Sequence, residues 1–292
     1  MKIQLKNGLL PLKQRSAIER PEGGEQPWPP LATFISSPQP NRYNDVMIQV
    51  KNLIKVFGTK VAVDDISFSV EKGEVLGFLG PNGAGKSTTM RMVTGYFRPT
   101  SGSISLCGID MLEKPEEAKF RLGYLPENAP LYSDMTVASF LGFCAEMRGL
   151  HGADRTKAID RVLDMCFLDN VRNQSVDTLS KGYRHRTCFA QSIIHDPDVL
   201  ILDEPTDGLD PNQKHEVRGM IKRMGVNKAI IFSTHILEEV EAACSRAIII
   251  DRGKVVADGT PESLKKLVPG ANSLDEVFRS ITKPDTTHKK AA

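Results

Sequence analysis

The stretch that decides the fold is Val75 to Val93, VLGFLGPNGAGKSTTMRMV. Its first five residues are continuously apolar and stop at glycine and proline, the pattern of a buried strand feeding a loop. Gly80, Pro81, Asn82, Gly83, Ala84, Gly85, Lys86, Ser87 and Thr88 then satisfy the spacing of a phosphate-binding P-loop. Met90 to Val93 reads as helix, so the motif stands in the strand, loop and helix context that it requires. Three glycines let successive backbone N–H groups curl around a phosphate without Cβ interference, at a helix N-terminus whose dipole favours anions. Lys86 is placed to reach the β- and γ-phosphates and Ser87 to put its hydroxyl on Mg²⁺. With glycine near 7% of residues, a chance match in a chain this long is on the order of one in a hundred.

Working outward, VMIQV from Val46 and VAVDDISFSV from Val61 alternate apolar and polar residues, as half-buried antiparallel strands do. Apolar runs like that of Val75 recur at Val199 to Leu202, Ala229 to Phe232 and Ala247 to Ile250. Helix-period segments separate them around Gln213 to Met224 and Ile236 to Ala243. This alternation predicts an α/β fold, a doubly wound P-loop NTPase with a mostly parallel core sheet and an N-terminal antiparallel β subdomain. Between Asn128 and His195 the signal is helical throughout (Thr136 to Arg148, Arg155 to Cys166, Lys181 to Ile194), which predicts an inserted helical subdomain. No internal repeat is present.

The 292 residues are 40% hydrophobic and 25% charged, which excludes a collagen, a disulfide mini-protein and a fully disordered chain. Lys plus Arg number 38 against 36 Asp plus Glu, so a net charge of +2 leaves no domain-wide footprint for wrapping nucleic acid, and none is expected as a partner. No apolar run approaches the ~20 residues that cross a bilayer. The N-terminus breaks its apolar run with Pro11 and Lys13 and lacks a secretory core, so the chain is expected in the cytoplasm. Its five cysteines, Cys107, Cys144, Cys166, Cys188 and Cys244, are scattered without C-x-x-C spacing, and read as small core residues rather than a disulfide or zinc framework. Residues 1–45 hold seven of the 18 prolines and the single tryptophan, Trp28. They read as a flexible extension, either an unstructured tail or a docking segment anchored by Trp28.

A second apolar strand, VLILDEP, ends in Asp203 and Glu204, at the carboxyl end of a parallel strand where open α/β sheets bind ligands. Adjacent strand residues point to opposite sides and cannot do the same job. Asp203 is therefore assigned to the Mg²⁺ shell and Glu204 to orienting and polarising an attacking water. About 20 residues earlier, Leu179-Ser-Lys-Gly-Tyr183 opens a helix.

With that segment in place, the chain from Val46 to about Ser263 resembles the nucleotide-binding subunit of an ABC transporter. The resemblance implies that Ser180 and Gly182 bind the γ-phosphate of an ATP held by an opposing subunit, with Lys181 and Tyr183 departing from the usual LSGGQ. A lysine there is tolerable because the ligand is anionic. It further implies that Phe57 stacks on adenine and that Asp210, in DGLD, runs across a dimer interface. His235, in STH, would contact the γ-phosphate and brace Glu204. Glu127, in GYLPEN, stands where the family usually has the glutamine that links Mg²⁺ and the attacking water to the helical subdomain. An ionised carboxylate accepts hydrogen bonds but donates none, which alters that coupling. The implied catalytic set is Glu204, His235, Lys86 and Glu127, with Ser87, Asp203 and Glu127 around the metal.

GYLPEN, LSKGYRHR, LILDEPTDGLD and STHILEEVE together resemble the ATPases of type-two ABC exporters, including gliding-motility and copper-site maturation relatives. The late SLDEVFRSIT segment is amphipathic at Leu274, Val277, Phe278 and Ile281. It reads either as a mark of that branch or as a helix packing on the sheet domain. The expected organisation is an extension over 1–45, a nucleotide-binding domain over 46–270 with the helical subdomain at about 128–195, and a C-terminal helix and frayed tail over 271–292. The resemblance implies an ATPase that binds ATP and Mg²⁺, pairs with a second copy or a close relative, and powers a separate membrane permease from the inner face of the membrane. A non-transport relative acting on ribosomes or DNA is the alternative. Such relatives carry two domains in one chain or long coiled coils, and this sequence has neither. A regulatory switch without turnover is disfavoured by the intact Lys86, Asp203, Glu204 and His235.

Overall fold

In chain order the elements are β1 (Val46–Phe57), β2 (Lys60–Glu71), β3 (Val75–Leu79), α1 (Lys86–Val93), β4 (Ser101–Leu106), β5 (Ile109–Asp110), α2 (Pro115–Phe120) and β6 (Leu122–Leu125). Then follow α3 (Val137–Met147), α4 (Gly152–Met165), α5 (Lys181–Ile193), β7 (Val199–Asp203), α6 (Pro211–Gly225), β8 (Ala229–Thr234), α7 (Leu237–Ala243), β9 (Arg246–Asp251), β10 (Lys254–Gly259), α8 (Pro261–Lys265) and α9 (Leu274–Ile281). The structure, a computed structural model, describes residues 45–128, 130–271 and 273–282. The proline-rich extension with Trp28 and the tail from residue 283 lie outside the described residues.

The strands sort into two sheets. One is antiparallel, in the order β2-β1-β4-β5; the other runs β10-β9-β3-β8-β7-β6, parallel except for the edge strand β10. The central strands of the second sheet are buried along their whole length. Their side chains alternate between two cores. Val199, Ile201, Ala229 and Ile231 face the cluster that includes Phe78, Met90 and Met92 and extends to Ile48, Val50 and Phe68 of the antiparallel sheet. Leu200, Leu202, Ile230 and Phe232 face the cluster formed with α3, α4, α5 and α6, through residues such as Leu141, Val162, Phe189 and Ile221. Each such valine, leucine, isoleucine, methionine or phenylalanine contributes about 1.5–3 kcal/mol on burial, and because both faces are covered the sequence runs apolar without alternating.

Helix starts follow their capping residues: the hydroxyls of Thr136 and Ser180 and the carboxylate of Asp210 each accept the backbone N–H three positions on, from Ser139, Tyr183 and Gln213. Pro211 supplies the preset φ of the first turn of α6. The stretch read as helical throughout from 128 to 195 is interrupted. Between α4 and α5 lie two single 3₁₀ turns, Asp169–Val171 and Val176–Thr178, and Ser175 forms an antiparallel bridge with Thr136. SLDEVFRSIT forms α9, whose Leu274 is buried with Leu79, Val240, Ile249 and Leu264, while Phe278 and Ile281 pack against that cluster and Val277 is also buried. Among the described residues no helix is long and apolar enough to cross a membrane.

Strand register positions the functional loops. Leu79 at the end of β3 lies opposite Thr234 of β8, and Asp203 at the end of β7 lies opposite Ser233. The glycine loop, the two carboxylates and the STH segment therefore leave the sheet at one edge, the carboxyl end where such sheets take ligands.

Candidate functional site

A cavity of about 470 Å³ opens at that edge. Asn82, Gly83, Gly85, Lys86, Ser87 and Thr88 form its floor, and Phe57, Glu127, Glu204 and His235 stand around it. The turn into α1 depends on Gly85, at φ 108°, where a Cβ would meet the Ala62 carbonyl oxygen at 2.6 Å. No side chain caps α1, so its first N–H groups are left for an anion. Lys86 is buried and donates from Nζ to the carbonyl oxygens of Gly80 at 2.7 Å and Pro81 at 3.3 Å. Burial pulls its pKa down, against the opposing pull of Glu204, Asp203 and Glu127.

Asp203 and Glu204 part, though not by strand alternation alone: β7 ends at Asp203, and the left-handed backbone of Glu204 sets where its side chain goes. Asp203 is 1% exposed and lies behind Ser87, whose hydroxyl is 3.4 Å from its Oδ1. Ser233 Oγ donates to the same oxygen at 2.5 Å and accepts the backbone N–H of Glu204 at 3.1 Å. Among the described residues the buried Asp203 Oδ2 has no protein partner. Glu204 turns toward the cavity from a left-handed backbone, φ 52°, a conformation that costs a non-glycine residue about 1–3 kcal/mol and recurs at functional sites. Its Oε2 lies 2.9 Å from His235 Nδ1. Burial raises the Glu204 pKa above the usual carboxylate value and nearby Asp203 adds to the rise, while His235 and Lys86 act in the opposite sense. The cavity thus holds a cation below an anion site, beside a carboxylate whose burial raises its basicity and which an imidazole orients.

Phe57 ends β1 at the cavity rim, 43% exposed, with its ring centroid 5.6 Å from that of Phe97 in a T-shaped pair and 5.0 Å from Lys55 Nζ. Glu127 is exposed at the rim in the loop that follows β6. Ser180, Gly182 and Asp210 do not line the cavity. Ser180 and Asp210 cap their own helices, and a Cβ on Gly182 would approach the amide of Gln213 at 2.7 Å. Lys181 extends over Gly208 and pairs with Asp207 Oδ2 at 3.2 Å. Asp207 itself lines the cavity, so this pair links the start of α5 to the loop after the carboxylates.

Sequence reading missed Ser233, which ties Asp203 to Glu204, and Lys60, Ala62 and Asp207 on the cavity wall. Only Ser233 had a local signal, its place at the end of an apolar strand before Thr234 and His235.

Residues 63–207, which include the glycine loop, LSKGY and both carboxylates, match the ABC transporter family model. Over 219 residues the chain is 36% identical to Nod factor export ATP-binding protein I of Cupriavidus metallidurans, spanning 75% of this chain and 72% of that protein. It is 38% identical over 225 residues to the probable multidrug ABC transporter ATP-binding protein YbhF of Escherichia coli, spanning 76% of this chain but only 38% of YbhF. A solved structure described as the ATP binding subunit of an ABC transporter superposes with a TM-score of 0.75 at 30% identity, over 81% of this chain and 100% of that one. With residues 63–207 matched by the family model and a 36% identical relative covered over 72% of its length, the chain belongs to the ABC transporter family, among its ATP-binding subunits.

Proposed function

We propose that this chain hydrolyses ATP as one of two subunits that sandwich the nucleotide, and that the cycle powers a separate membrane-embedded permease working as an exporter. The observation that carries the reading is a division. Lys86, Ser87, Glu204 and His235 gather on one cavity, whereas Ser180, Gly182 and Asp210 lie away from it. A second copy facing the first would bring its Ser180 and Gly182 to the γ-phosphate, so ATP closes the pair and hydrolysis releases it.

In this reading Phe57 supplies the face on which adenine stacks. The N–H groups from Gly83 to Ser87 cradle the phosphates, and Lys86 exchanges the Gly80 and Pro81 carbonyls for phosphate oxygens. Glu204 accepts a hydrogen bond from the attacking water and aligns it with the γ-phosphorus, opposite the bridging oxygen that leaves with ADP. His235 holds Glu204 in place through Nδ1. Mg²⁺ fits the donor set: the Ser87 hydroxyl and the Asp203 carboxylate are hard oxygens, and the partnerless Oδ2 has lone pairs to offer. When bound, the ion would neutralise charge developing on the phosphates. Glu127 would sense that site from the start of the 128–195 segment, the part offered to the permease, and the permease would hold the chain at the inner face of the membrane.

The names of the relatives, multidrug transport and Nod factor export, favour transport over action on ribosomes or DNA. The test is Glu204→Gln, which keeps the shape and removes the base. The variant is expected to bind ATP, lose turnover and run as a dimer on size-exclusion chromatography with saturating ATP. A variant that stays monomeric under those conditions refutes the sandwich.

A further inference from the structure

Beneath the hydrolytic pair lies a buried cluster to which the roles above give no part. Glu239, on α7, is 0% exposed. A carboxylate is kept at such depth only by partners. Its Oε1 accepts the Thr206 hydroxyl at 2.5 Å, its Oε2 accepts the Thr234 hydroxyl at 2.7 Å, and Lys214 Nζ from α6 lies 3.6 Å from Oε1. Thr234 Oγ1 in turn accepts the backbone N–H of Ile236 at 3.0 Å. Thr206 follows Glu204 by two residues, and Thr234 immediately precedes His235.

One carboxylate therefore clamps the loop that carries Glu204 and Asp207 to the loop that carries His235, with α6 joined through Lys214. We propose that Glu239 is a positioning residue for ATP hydrolysis, holding the two loops so that His235 and Glu204 meet at 2.9 Å. The left-handed backbone of Glu204 makes such a clamp necessary, because a sparsely populated conformation persists only where its surroundings over-determine it. The chemistry also selects a carboxylate. Two hydroxyls donate to it and an ammonium faces it, whereas a glutamine would offer one acceptor and turn an NH₂ toward a donor. The proposal rests on the reading of Glu204 as the group that aligns water.

The test compares Glu239→Gln, Thr206→Val, Thr234→Val and Thr234→Ser with the unaltered chain, measuring kcat and KM with Mg-ATP, the Kd for ATP by equilibrium dialysis, and Tm. A displaced catalytic group costs on the order of 10²-fold. Glu239→Gln is expected to lower kcat by about 10- to 100-fold with ATP affinity within about two-fold, and each valine variant to lower it by about 10-fold. Thr234→Ser, which keeps the hydroxyl, is expected to recover most of the turnover lost in Thr234→Val. A cluster that only stabilised the fold would instead lower kcat and ATP binding together, in step with the folded fraction, and that result overturns the proposal. Unchanged kcat in Glu239→Gln overturns it too. If Glu239→Gln does not fold, unchanged kcat in Thr206→Val serves the same purpose. Glu204→Gln separates the two readings: if it turns over at the wild-type rate, the role of Glu204 fails and the clamp falls with it, whereas a dead Glu204→Gln beside a fully active Glu239→Gln refutes the clamp alone.

Discussion

Ser233 is 0% exposed and its hydroxyl is the joint between Asp203 and Glu204, so Ser233→Ala reports directly on that joint. The substitution leaves Asp203 with Ser87 Oγ at 3.4 Å, a long contact, and with Oδ2 still partnerless in the interior. A hydrogen bond to a charged group is worth about 1.5–3 kcal/mol. The second bond lost, from the Glu204 N–H, costs less because the carbonyl oxygen of Ser233 also accepts that N–H, at 3.2 Å. The expected destabilisation is about 2–3 kcal/mol, which in a domain of this size lowers Tm by about 4–12 °C. Differential scanning calorimetry on the nucleotide-free protein measures it. In an Asp203→Asn background the same substitution loses its charged partner, and its cost is expected to fall to about 0.5–1.5 kcal/mol. Equal costs in the two backgrounds, or a Tm within about 1 °C of wild type for Ser233→Ala alone, would refute the assignment of the hydroxyl to the carboxylate.

Lys86→Ala removes one preorganised donor aimed at the phosphates and is expected to lower turnover by about 10²- to 10³-fold; wild-type hydrolysis would remove the glycine loop from the reaction. Ser180→Arg fills the space in which a second copy would meet the γ-phosphate, so turnover is expected to vanish while ATP affinity of the monomer holds. Partial recovery on mixing it with Lys86→Ala would place the action in trans, and unchanged activity of Ser180→Arg alone would sink that idea. The pH profile of kcat/KM, which reports the free enzyme, follows from the raised Glu204 pKa: the group must be ionised to polarise water, so kcat/KM rises with pH through a value above the usual glutamate range. An acid limb of kcat/KM at the ordinary glutamate value would contradict the burial argument.

What could be read without a structure was local. GPNGAGKST is nine contiguous residues whose loop forms from its own glycines, and the apolar runs that end at Leu79, Leu202 and Phe232 announce buried strands because both of their faces are covered. Alternation along a strand predicted different roles for Asp203 and Glu204, but the strand ends at Asp203 and the left-handed backbone of Glu204, which aims its carboxylate, left no mark in the sequence. Other features left little or no trace. Strand β6 is four residues long with Gly123 inside it, too short to show a period, and the turns at Asp169–Val171 and Val176–Thr178 break a stretch whose composition is helical. A lysine at position 181 was compatible with an anionic ligand, but its pairing with Asp207, 26 residues away, depended on how α5 meets the loop after β7. The site itself was decided by sheet register. Parallel pairing set Leu79 against Thr234 and Asp203 against Ser233, and only that pairing brought Lys86, Glu204 and His235 to one cavity and Thr206 to the buried Glu239. Contacts between residues 30 or more apart leave no periodic mark in a chain, because the energy that selects them is the burial of whole strands and not any preference of the residues that finally touch.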